Sequence, residues 1–112
     1  MGTPATVNVG HQVVGTYVVI DQNGQPMLTQ PTPVSPAAWT DTLSAPGVDT
    51  NVVSADGTQD VITTVAPGTD TVACSATFLV NGQNVTFTDS ALLTVTPVPQ
   101  VASGIQVVLT AS

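Results

Sequence analysis

The chain has 112 residues, enough for one hydrophobic core and not two. Its acidic residues are seven aspartates, and it has no Lys, Arg or Glu, so the formal net charge is −7. Without a basic side chain to neutralise phosphate, the composition excludes nucleic acid and anionic membrane surfaces as partners, and no segment approaches the roughly 20 apolar residues of a membrane span.

Apolar residues make up 42% of the chain and aromatics 4%. The apolar content is mostly Val, Ala, Leu and Ile, with abundant Thr, and such β-branched side chains pack well on a pleated surface. In chain order, "ATVNV" predicts a short edge strand that ends at Gly10. A longer strand follows over residues 12–20. Asn23-Gly24 and Pro26 predict a turn. Three prolines between residues 27 and 39 predict an irregular edge, with a short strand around residues 38–40. Residues 40–47 read as a loop and 48–55 as a short strand. Asp56-Gly57 is a turn signal, residues 58–65 a strand, and Pro67-Gly68 another turn. Residues 69–80 form the longest clean alternation, with Val72, Cys74, Ala76, Phe78 and Val80 on one apolar face and the odd positions outward. "NGQN" reverses the chain, and residues 85–96 make a last strand bent near Asp89-Ser90. The expected core includes Trp39, Val72, Cys74, Phe78, Phe87, Leu93 and Val95.

No window shows a helical period. About seven to nine short strands, with turn signals about every 8–15 residues, predict an all-β fold: an antiparallel, immunoglobulin-like β-sandwich with Greek-key topology over residues 1–97. The segments "TVNVGHQVVGTYVVIDQNGQP", "AAWT", "NVVSADG", "TTVAPGTDTVACSA" and "LLTVTP", in this order, resemble the bacterial immunoglobulin-like (BIg) domain family. The likeness covers about residues 5–97, and Trp39 falls at the family's core tryptophan. Two stretches depart from it: residues 26–38 are richer in proline, and "LVNGQNVTFTD" lengthens the final hairpin.

The resemblance implies a module that spaces, displays or binds, without shared catalytic residues. The function it implies is a structural or interaction domain, as a capsid-decoration or tail-associated protein of a phage virion or a surface-display domain. A repeat of a bacterial adhesin or surface array is the alternative, and a glycan-binding module a more distant one. The expected location is the virion or the bacterial cell surface. The N-terminus shows no basic region followed by an apolar run, so no signal peptide is visible.

The residues offer little for catalysis. Cys74 is the one cysteine, set among apolar and small neighbours, and reads as a buried small hydrophobe. His11 is the one histidine, at a strand start, with no nucleophile motif around it. The expectation is no enzyme, no catalytic residue and no cofactor. Calcium enters weakly, because hard cations take clustered oxygen ligands and two pairs of aspartates flank short loops: Asp56 with Asp60, and Asp41 with Asp49. Aspartate is also a common turn residue. Sugar recognition needs exposed aromatic platforms, and only Tyr17, Trp39, Phe78 and Phe87 exist to supply them.

After the closing "LLTVTP" the chain continues through "VPQVAS" to "GIQVVLTAS". Residues 98–112 read as a hinge plus a further strand. In tandem arrays of the resembling family, such a strand opens the next domain, and here it looks like a first strand displaced to the end. Ile105, Val107, Val108 and Leu109 are the candidate interaction residues. The strand is expected to pair with its own domain or with a neighbouring subunit through a sheet edge, or to begin a further domain.

Overall fold

The alternation of β-branched and polar residues produces seven strands in the computed structural model, which describes residues 2–98, 102 and 104–111. They are β1 (Ala5–Asn8), β2 (Gln12–Thr16), β3 (Ala38–Leu43), β4 (Asp49–Val53), β5 (Gln59–Thr64), β6 (Gly68–Val80) and β7 (Gln83–Thr96). They form two sheets, a four-stranded one in the order β1-β7-β6-β3 and a three-stranded one in the order β2-β5-β4. β1 runs parallel to β7, and every other named pair is antiparallel. Among the described residues the fold is all-β, a two-sheet sandwich without helices.

The chain passes from the first sheet to the second at Gly10-His11. Thr64 braces this crossing. Its hydroxyl, buried, donates to the Asn8 carbonyl at 2.9 Å and accepts from the His11 N–H at 3.0 Å. The β6–β7 hairpin closes on Asn81-Gly82, whose φ angles of 51° and 80° are the left-handed pair a two-residue hairpin needs to match strand twist.

Three elements differ from expectation. β2 stops at Thr16, because Gln30 replaces a strand partner farther on: its side chain accepts from the Val19 N–H at 2.7 Å and donates to the Val19 carbonyl at 3.0 Å. β3 runs on through residues 41–43, read above as loop, since Asp41 and Leu43 continue the inward alternation of Trp39. β1 runs parallel to β7, in a sandwich expected to be antiparallel throughout.

The interior holds two apolar clusters. Val48, Ile62, Leu93 and Val95 form one, with Val72 and Leu43 against it. Ala37, Ala76 and Phe78 form the other, with Tyr17 and Cys74 against it. Trp39 is half-buried; its indole N–H donates to the Gly57 carbonyl at 2.9 Å and its ring lies 6.5 Å from that of Tyr17. Phe87 is a correction: it is 52% exposed. It shares the inward face with its ladder partner Ala76 and stacks 6.2 Å from Phe78. The β6–β7 hairpin, however, is more than twice as long as the strands of the opposite sheet, so its tip runs past their cover. Val80, at that tip, is exposed for the same reason.

Candidate functional site

The same period-2 rule that buries Val72 and Ile62 buries carboxylates. Asp70 precedes Val72, Cys74 and Ala76 on the inward face of β6, and Asp60 precedes Ile62 and Thr64 on the inward face of β5. Asp41 lies between Trp39 and Leu43 on β3, and Asp49 opens β4. Asp60 and Asp70 are 0% exposed, Asp49 is 6% exposed and Asp41 is half-buried. Asp41 and Asp70 belong to the four-stranded sheet, Asp49 and Asp60 to the three-stranded one, so the group bridges the sandwich.

Oxygens of Asp41, Asp49 and Asp70 lie within 4.8 Å of one another. Asp41 is within hydrogen-bonding reach of both Asp70 and Asp60, and Asp70 also of Asp49. Ionised carboxylates have no hydrogen to share, which leaves six buried oxygens without a partner: both of Asp41, both of Asp70, Oδ2 of Asp49 and Oδ2 of Asp60. The other oxygen of Asp60 accepts from the Asn51 side-chain amide at 3.0 Å, which fixes that carboxylate. Burial, reinforced by the neighbouring carboxylates, pushes Asp70 up to about 9; burial is also the main cause that raises Asp41 to about 6. The chain has no Lys or Arg to offset the buried charge of Asp41 and Asp70, so a proton or a bound cation must do so.

This cluster divides the aspartate pairs expected from sequence. Asp41 and Asp49 do converge, but inside the sandwich and with Asp70, which the loop-flank pattern did not single out. Asp56 and Asp60 do not converge. Asp56 is exposed in its turn, where it accepts from the Thr58 hydroxyl at 2.7 Å, the Ser54 hydroxyl at 2.8 Å and the Thr58 N–H at 3.1 Å. These bonds, the Thr58 hydroxyl foremost, hold its pKa down at about 2.

No protein-family model matches the chain, and no curated protein matches it.

The second candidate is the C-terminal segment. Residues 104–111 belong to no strand; Ile105 and Leu109 are 98% and 92% exposed, and Val107 and Val108 also stand in solvent. The pairing with its own domain is therefore not adopted among the described residues. The expected hinge residues 99–101 and 103 lie outside the described residues, as does Ser112. The molecule measures 80 Å along its longest axis against 24 and 22 Å across.

The sheets leave edges open to such a segment. β2 borders the three-stranded sheet, with β5 on one side only. Val14 of β2 pairs with Val61 of β5, which pairs with Val52 of β4, forming an apolar row across the outer face in which Val14 and Val52 are exposed.

The remaining candidates are individually placed. His11 has an exposed side chain in a shallow groove with Thr6, Val7, Asn8 and Thr96. Cys74 is half-buried, and burial, followed by the charge of Asp60, pushes its thiol up. Of the four aromatics only Phe87 is exposed, a single ring and not a stacking platform. Among the described residues, no helix is long and apolar enough to cross a membrane.

Proposed function

We propose that this chain is a non-catalytic, immunoglobulin-like module of the BIg type that binds protein partners, and that residues 104–111 add as a strand to the open edge of β2 in a second copy. Its setting in this reading is a phage virion, as a capsid-decoration or tail-associated protein, or a bacterial surface. The Greek-key reading draws support from the strand order: β1, β2 and β3 alternate between sheets, β4 and β5 share the smaller one, and β6 and β7 return to the larger.

The observation that carries the interaction is the exposed apolar C-terminal segment, in a chain whose three-stranded sheet leaves the β2 edge unpartnered among the described residues. A strand added to that edge gains main-chain hydrogen bonds and buries its inner row. Successive residues face opposite ways, so Ile105, Val107 and Leu109 make one row and Gln106, Val108 and Thr110 the other. The segment bears no charge, whereas two bodies of −7 repel, so association strengthens with added salt.

Deleting residues 101–112 tests the reading by solution mass. The full chain is expected to form multiples of its 11.3 kDa mass and the shortened chain to be monomeric. Equal monomeric masses at high and low salt, with equal thermal stability, would remove the segment from any assembly. Neighbouring genes distinguish the two settings: capsid and tail genes for a virion, secretion machinery and long repeat proteins for a surface array.

A further inference from the structure

We propose that Asp41, Asp49 and Asp70, backed by Asp60, form a buried site for a divalent cation of the calcium class that ties the two sheets together. Two independent observations lead there. The first is convergence: three carboxylates from β3, β4 and β6 bring oxygens within 4.8 Å of one another. The second is Asp60, a fourth carboxylate outside that triad. It is wholly buried, held through one oxygen by Asn51, within reach of Asp41, and its Oδ2 has no partner.

The donor set and its size point to calcium. All donors are hard oxygens, with no sulfur or imidazole among them, which disfavours zinc and copper. Calcium usually takes about 6–8 oxygen ligands, and the converging oxygens of Asp41, Asp49 and Asp70 would supply at least three of them. At calcium–oxygen distances of about 2.3–2.6 Å, ligands on opposite sides of the ion stand about 4.6–5.2 Å apart. Three oxygens that all lie within 4.8 Å of one another leave room for such an ion between them. Magnesium demands near-ideal octahedral geometry and gives up its waters reluctantly, which suits a buried set of carboxylates less well.

The inference is independent of the C-terminal segment and is tested on the full chain, stripped with chelator and kept at constant ionic strength. With calcium at about 100 times its Kd, the melting temperature is expected to rise by about 10 °C over the chelated protein, and by less with magnesium. Asp70→Asn and Asp49→Asn lose the rise, whereas Asp56→Asn, in the exposed turn, keeps it. Should Asp70→Asn fail to fold, Asp41→Asn serves in its place. Calorimetric titration of calcium into stripped wild-type protein is expected to show one saturable site. The proposal is overturned by any of three results: no calcium-dependent rise in the wild type, an equal rise in the cluster variants, or no binding heat.

Discussion

Asp56 and Asp70 are the same residue in two regions with opposite physics. At the turn, Asp56 stands in water and accepts three hydrogen bonds, so its charge is favoured and its pKa falls to about 2. Between the sheets, Asp70 has lost its water and faces other carboxylates, so its charge is opposed and its pKa rises to about 9. The first carboxylate shapes a loop. The second is unfavourable to an ionised, cation-free interior and becomes an asset when something positive fills the space. The difference teaches that residue counts do not decide whether aspartates solubilise, cap or ligate; the face of the strand they occupy does.

The largest effect that sharpens the contrast is pH. In chelator, Asp70 and Asp41 have folded-state pKa values of about 9 and 6, above the usual 3.8 of the unfolded chain. The folded state then binds more protons, so the contribution of these two groups to stability is full below pH 3.8 and falls as pH rises toward 9. The expected loss across that window is about 3–5 kcal/mol, the scale of an uncompensated buried charge, read from urea midpoints. Asp70→Asn, neutral throughout, flattens the fall, and a wild-type profile rising from pH 4 to 9 in chelator would refute the buried-charge account.

A smaller effect comes from the turn. Gly57 has φ 73°, and a Cβ there would collide with the Ala37 backbone. Gly57→Ala is expected to cost about 1–3 kcal/mol and to shift Trp39 fluorescence, because the indole donates to the Gly57 carbonyl. It should leave the alkaline slope unchanged; a changed slope would show that turn and interior are coupled. The smallest effect belongs to Asp56→Asn. The wild-type carboxylate contributes stability above pH 3.8 that is lost as pH falls through about 2. Asp56→Asn is expected to lose that increment at pH 7 to 8 and to lack the acid limb, and equal stability of variant and wild type at pH 7 to 8 would contradict the assignment.

Much of the fold was legible because its signals are local. Alternation placed β5, β6 and β7 within a few residues, and Asn81-Gly82 and Asp56-Gly57 mark turns by their backbone needs. The end of β2 was not legible, since Gln30 acts from 11 residues away on Val19. Phe87 has the right face, and only the length of the opposite sheet exposes it. The carboxylate cluster was the larger miss. Treating Asp as a turn residue placed Asp41 and Asp49 at a loop and joined Asp60 to Asp56. The signal that finds the group is register: Asp70 with Val72 and Cys74, Asp60 with Ile62, and Asp41 with Trp39 and Leu43 each keep the inward phase. That these phases meet across the two sheets is a tertiary fact that no spacing reveals.

The most direct test is a crystal structure of the full chain grown with calcium, measured for anomalous scattering. One peak is expected between the sheets, with oxygens of Asp41, Asp49 and Asp70 at about 2.3–2.6 Å from it. An interior without a peak, with the carboxyl groups of Asp41, Asp60 and Asp70 hydrogen-bonded to one another through shared protons, would contradict the account.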